Sequence, residues 1–279
     1  RDRDVTGVQT CALPIFTIVA LIMAGILIHP LVFAVVFSGF LCLALFEFFR
    51  LSEKLGFQPL IKSGLTAGVL LFALFYLVAS RLLHPRFLVI AALIPVAILL
   101  IDLFSAKNAS FKSGLITIAG VFYVALPFSL MNYIEMTRVD AIPAFYPWLL
   151  AGVFFIIWIY DSAAYVFGNL TGKHKICVRI SPAKSWEGMI GGAVFAVLMA
   201  IGNSMLFDVL SIENWIVVAL LIVFFGTASD FFESKLKREA GVKDSGDILP
   251  GHGGILDRFD TLLFAIPAIF VWISIMGNF

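Results

Sequence analysis

Cysteine is scarce in this 279-residue chain: there are three, Cys11, Cys42 and Cys177. Their spacing suits neither a metal site nor a redox pair, so no disulfide framework is expected. Net charge is equally slight, +1 at pH 7, and bulk charge therefore gives no argument for a nucleic-acid partner. No self-similarity marks a repeat architecture, and no low-complexity linker divides the chain. The sequence does not begin with methionine, and its first residues do not read as a secretory signal. Residues 1–14, RDRDVTGVQTCALP, look like translated adapter read-through and are expected to be non-native.

What fills the chain is apolar. The residues A, V, I, L, M, F, W, Y and C make up 61% of it, and mean hydropathy is +1.05. A soluble domain of this length does not need so much apolar surface, so the chain is expected to be an all-α polytopic membrane protein. Apolar runs fall near 15–29, 31–49, 63–82, 86–104, 113–133, 146–169, 188–207, 212–236 and 256–277. A helix needs about 20 residues to cross the hydrocarbon core. The first run is short, and Pro30 separates it from the second. Nine transmembrane helices are expected, with eight as the alternative. One membrane domain would cover 15–279, with N-terminal helices in 15–145 and the catalytic half in 146–279.

Lys and Arg give the orientation. With nine spans, thirteen of them fall in loops on one side (Arg50 to Lys62, Lys107 and Lys112, Lys173 to Lys184, and Lys235 to Lys243). Only three, Arg81, Arg86 and Arg138, fall on the other. The basic side is expected to be cytoplasmic, with the C-terminus outside.

The first half carries little chemistry. Glu47 and Asp102 sit near helix ends and read as structural. His29 and His84 lie in short turns on the outer side without a partner at ligand spacing. The second half differs. Asp161 lies well inside an apolar run, where an ionisable residue costs roughly 2.5–3.5 kcal/mol and is a functional candidate by default. Tyr165 and Gly168 follow on the same helical face. The next loop, GNLTGKHKICVRISPAKSWEGMIGG, is basic through Lys173, His174, Lys175, Arg179 and Lys184. A positive-inside loop accounts for that charge. It does not account for the hydroxyls, Glu187 and the glycines Gly188, Gly191 and Gly192, which allow close backbone approach.

The densest polar stretch is 234–260, SKLKREAGVKDSGDILPGHGGILDRFD, with apolar runs on both sides. A solvated loop would explain some of it: Glu233 and Lys237 as an exposed i,i+4 pair, Asp257 and Asp260 as acids favouring a helix N-terminus. Carboxylates beside cations and a glycine-rich turn also suit a metal ion and a phosphate together. Topology puts Asp161, Asp230, Asp257 and Asp260 toward one membrane face.

Two blocks carry a family resemblance. The first is Ser-x-apolar-Lys-Arg, Lys-Asp, Pro-Gly-His-Gly-Gly and Asp-Arg-x-Asp. It is met at Ser234, Leu236, Lys237, Arg238, Lys243, Asp244, Pro250, Gly251, His252, Gly253, Gly254, Asp257, Arg258 and Asp260. The second is met at Asp161, Ala164, Tyr165, Gly168, Ser181, Pro182, Lys184, Glu187 and Gly188. Ser185 stands where Thr is usual, Ala183 where Lys is common and Thr261 where Ser is usual. Over 161–260 the chain resembles the phosphatidate cytidylyltransferases (CDP-diacylglycerol synthases).

The resemblance implies transfer of CMP from CTP to phosphatidic acid, with Mg2+ as cofactor and a second cation. It implies Asp230 and Asp257 as paired metal aspartates, with Asp244, Lys243, Arg258 and His252 as further catalytic candidates. Substrate-binding candidates are Asp161, Tyr165, Ser181, Lys184, Ser185, Glu187, Ser234, Lys237, Arg238, Gly253, Gly254 and Asp260. The implied partners are CTP, phosphatidic acid and the lipid bilayer, with a homodimer allowed and no nucleic acid. The implied location is the bacterial inner membrane, with a polar active site facing the cytoplasm. Two rival readings are a CTP-dependent enzyme acting on an isoprenoid-type lipid phosphate, and a secondary transporter. A transporter would be expected to show inverted repeats and charges at the midplane, where this chain has neither.

Overall fold

The computed structural model describes residues 3–104, 111–136, 138–139, 142–143, 145–246 and 253–276, with side chains described from residue 16 onward except at 138–139 and 142–143. Helices dominate. The first five are α1 (Arg3–Ile28), α2 (Pro30–Lys54), α3 (Ile61–Ala79), α4 (Leu93–Phe104) and α5 (Phe111–Gly120). A 3-10 segment, Pro85–Ala92, leads into α4. A π segment, Val121–Ala125, joins α5 to α6 (Leu126–Glu135). Next come a two-residue ladder of β1 (Arg138–Val139) with β2 (Ile142–Pro143), then α7 (Trp148–Thr171). A hairpin of β3 (Lys175–Cys177) and β4 (Ser181–Ser185) leads into α8 (Trp186–Leu206). α9 (Ile212–Leu221) runs through a second π segment, Ile222–Gly226, into α10 (Thr227–Glu239), and α11 (Leu256–Ile275) closes the chain.

Among the described residues, eight helices are long and apolar enough to cross a membrane, and Phe16–Ile28 is a shorter apolar helix. The chain is an all-α polytopic membrane protein; among the described residues eight of the nine apolar runs form helices long enough to span, as in the alternative of eight, and the first run forms the shorter one. The two outer-turn histidines turn out to be helix caps: the Nδ1 of His29 accepts from Leu31 N, and that of His84 from Arg86 N. They satisfy amides that the first turn cannot pair.

The centre of the bundle is aromatic. Phe259 is fully buried, with ring centroids 5.0 Å from Phe128 and 5.2 Å from Phe40. It also faces Phe37 and Phe154 edge-on, at 6.3 and 6.4 Å. Lipid tails are as apolar as these rings, so the contact is held by van der Waals packing and ring geometry rather than by escape from water. Phe259 lies on α11 between Asp257 and Asp260. Seating its ring against α2, α6 and α7 turns the two aspartates to the opposite face.

Candidate active site

The first wall of the site is the α7–α8 pair, and glycine sets its spacing. A Cβ at Gly188 would lie 2.8 Å from Ala164 O and 3.1 Å from Gly168 Cα, so backbone meets backbone there. Small residues at such a crossing let membrane helices approach closely. β4 delivers Ser185 to the start of α8, where its Oγ accepts from Gly188 N at 3.2 Å and caps the helix. Between α7, the hairpin and α10 lies a cavity of about 320 Å³, lined by Asp161, Tyr165, Ser181, Lys184, Ser185 and Asp230 among others. The structure thus brings residues of the second signature block to one cavity with Asp230, which lies four residues ahead of the first block, and Thr261, which directly follows it.

Asp230 comes from α10, directly after the small Thr-Ala-Ser start that follows the π segment. A Cβ at Gly226 would lie 2.6 Å from the Thr261 methyl, so α10 and α11 pack tightly here. Tyr160 and Thr227 share a 2.5 Å hydrogen bond across the cavity floor. Lys184 Nζ forms an ion pair with Asp230 Oδ2 and stands 4.9 Å from the centroid of Phe231. Ser234 Oγ donates to Asp230 Oδ1 at 3.3 Å. Asp161 and Asp260 lie close enough to Asp230 to repel it, and Lys184 attracts both.

A second polar cluster forms where α10 meets the start of α11 and the segment before it. Lys237 Nζ lies 2.6 Å from Asp257 Oδ1 and 3.4 Å from Glu233 Oε2. The other oxygen of Asp257 accepts from Ser245 N and Oγ, each at 2.9 Å, and from Gly254 N at 2.8 Å. Gly253 takes φ +79°, and a Cβ there would lie 2.7 Å from Asp257 Oδ2. A side chain at 253 would be both strained and in the way.

The other described candidates do not line the cavity either. Glu187 is turned to His174, whose Nδ1 is 2.5 Å from its Oε1 and whose N–H donates at 3.1 Å. That pairing ties the hairpin to α8 outside the cavity. Arg238 bonds Val242 O at 3.3 Å on an exposed turn. Lys243, Asp244 and Arg258 are exposed. His252, with Asp247, Pro250 and Gly251, lies outside the described residues. The picture of Glu233 and Lys237 as an exposed pair is corrected. Glu233 is fully buried and the Lys237 side chain is 12% exposed, because α10 turns that face toward α11.

Sequence reasoning undervalued the first half of the chain. Glu47 on α2 reaches Ser245, Ile255 and Leu256. The Tyr123 ring lies tilted against Phe48 and edge-on to Phe232 and Phe264. Intramembrane polarity was the only signal for either, since both lie outside the two signature blocks.

Among the described residues, no three His, Cys, Asp or Glu side chains converge as a metal cluster. The donor chemistry still fits a hard cation. Asp161, Asp230, Asp260, Glu233 and Asp257 form a linked row of interacting carboxylates, with Lys184 and Lys237 between them. Asp230 and Asp257, each beside a lysine, supply the carboxylate oxygens that a hard cation such as Mg2+ takes.

Comparison with known proteins agrees with the blocks. Residues 10–276 match the sequence profile of the Cytidylyltransferase family. A protein of Haemophilus influenzae named phosphatidate cytidylyltransferase is 34% identical over 272 residues, covering 91% of this chain and 93% of that protein. Proteins of the same name from Staphylococcus haemolyticus and Staphylococcus epidermidis are each 40% identical over 59% of this chain. The chain spans 61% of the length of those two staphylococcal relatives in the match. From Asp161 through Asp260 and across nearly all its helices, the chain belongs to the cytidylyltransferase family.

Proposed function

We propose that this protein transfers CMP from CTP to phosphatidic acid, releasing pyrophosphate and forming CDP-diacylglycerol. The observation that carries the reading is the Lys184–Asp230 ion pair at the wall of the cavity. It joins one signature block to a carboxylate ahead of the other, with both side chains partly exposed. A phosphate oxygen of the lipid would attack the α-phosphorus of CTP, and the bond to the β-phosphate oxygen would break. The attacking oxygen is already ionised, so the chain's work is positioning and charge stabilisation.

In this reading Lys184 and Lys237 draw in phosphate oxygens, while Ser181 and Ser185 offer hydroxyls along the cavity. Mg2+, with a second cation, would supply neutralisation of the phosphate charge. Asp230 and Asp257 would hold the cations, with Asp161 and Asp260 behind them. Each aspartate now engages a lysine, so metal and lysine would share its oxygens. The larger number of Lys and Arg in the loops on this side supports a cytoplasmic-facing site in a bacterial inner membrane.

The test is turnover in proteoliposomes containing phosphatidic acid, with labelled CTP and with or without Mg2+. Labelled CDP-diacylglycerol formed only with Mg2+ is expected. Turnover on an isoprenoid-ether lipid phosphate but not on phosphatidic acid would overturn the substrate assignment.

A further inference from the structure

Glu47 is 3% exposed on a membrane helix that carries no residue of either signature block. A carboxylate buried in a bundle is costly unless donors surround it. Glu47 has three: Ile255 N reaches Oε1 at 3.0 Å, and Leu256 N and Ser245 Oγ reach Oε2 at 2.8 and 3.1 Å. The two amides open α11, where no turn precedes to accept them and where the helix dipole favours an anion. Glycine makes the room. A Cβ at Gly246 would lie 2.6 Å from Glu47 Oε1, and one at Gly254 would lie 2.3 Å from Oε2.

The same small segment holds Asp257. Ser245 Oγ lies within bonding distance of both carboxylates, 3.1 Å from Glu47 and 2.9 Å from Asp257. One hydroxyl proton serves one of them at a time, while Ser245 N–H stays on Asp257. Gly254, packed against Glu47, also donates to Asp257. Ser245 and Gly254 therefore link the surroundings of the two carboxylates.

We propose that Glu47 is a positioning residue: it fixes the first turn of α11 and, through Ser245 and Gly254, the aim of the Asp257 carboxylate. The inference rests on the reading of Asp257 as a group that serves the transfer.

The experiment compares wild-type protein with Glu47→Gln, Ser245→Ala, Asp257→Asn and the Glu47→Gln/Asp257→Asn pair, all in nanodiscs. Glu47→Gln keeps the shape but turns one acceptor into a donor facing a backbone N–H. Amide exchange at Ile255 and Leu256 is expected to quicken, with no change in α7 and α8. Turnover number is expected to fall on the order of 10- to 100-fold with KM for CTP nearly unchanged, because the nucleotide's own contacts remain. The double variant is expected to be no slower than Asp257→Asn alone.

Wild-type exchange at Ile255 and Leu256 in Glu47→Gln, or losses that multiply in the double variant, would overturn the proposal. Should Glu47→Gln fail to fold, Ser245→Ala decides, since it cuts the shared hydroxyl and leaves the backbone bonds of Glu47. Several-fold lower turnover at unchanged melting temperature supports the proposal; wild-type turnover sinks it. Full activity in Asp257→Asn would instead count against the role given to Asp257, while amide exchange still reports whether Glu47 holds the segment.

Discussion

Lys237 places its ammonium 2.6 Å from Asp257 and 3.4 Å from Glu233, tying the end of α10 to the first turn of α11. Both carboxylates have little access to solvent, so their charge is balanced mainly from within the protein. A lysine at i+4 from Glu233 could have pointed into water. Here the turn of α10 brings it between two acids that come from different helices.

Removing the ammonium should therefore destabilise the fold as well as the site. Lys237→Met leaves buried carboxylates unpaired, a loss of about 3–5 kcal/mol for a buried pair broken on one side. The melting temperature in detergent should drop clearly. Adding Glu233→Gln should recover most of that drop without recovering turnover. Recovery of turnover by the double variant would show that Lys237 serves stability alone.

The aspartates themselves can be separated from folding. Asp230→Asn and Asp257→Asn keep size and polarity and remove a charge. Each should lower turnover roughly 100- to 1,000-fold in protein that still inserts and folds. Their combination should be little worse than either one, since groups acting as a unit are not additive. Initial rates with labelled CTP would measure all three. Near-wild-type rates in either single variant would remove that residue from the site.

The spacing of α7 and α8 can be probed at one atom. Gly188→Ala would press a methyl against the Ala164 carbonyl and Gly168 Cα, which are backbone and cannot rotate away. Overpacking of this kind costs about 1–3 kcal/mol, and spreading the helices should reshape the cavity and lower turnover. Gly202→Ala on the same helix meets nothing within 4 Å and should leave both melting temperature and rate unchanged. Equal behaviour of the two variants would argue against the close crossing as the determinant.

Topology offers an independent check. Single cysteines at His174 and at Lys243, both exposed, should react with a membrane-impermeant reagent from the same side of sealed vesicles. That side should be the cytoplasmic one, as the basic loops require. Reaction from opposite sides would dismantle a shared site built from both blocks.

By itself the sequence determined the membrane class, the position of the spans and the two polar blocks. These are properties of composition and order: a run of about 20 apolar residues has few other stable forms in a bilayer. It also flagged Asp161 and Asp230, because a charge within or at the end of such a run is hard to overlook. What it left open depended on rotation and distance. Only the tertiary structure could turn Glu233 inward, send Glu187 to His174 rather than to the cavity, and set Lys184 on Asp230. The packing of Phe259 against α2, α6 and α7 decides which way Asp257 and Asp260 face. Glu47 shows the limit most clearly. It bonds Leu256 from 209 positions away, and no local periodicity links residues so distant in the chain. Their meeting is fixed by how the helices pack, and that is a property of the whole bundle.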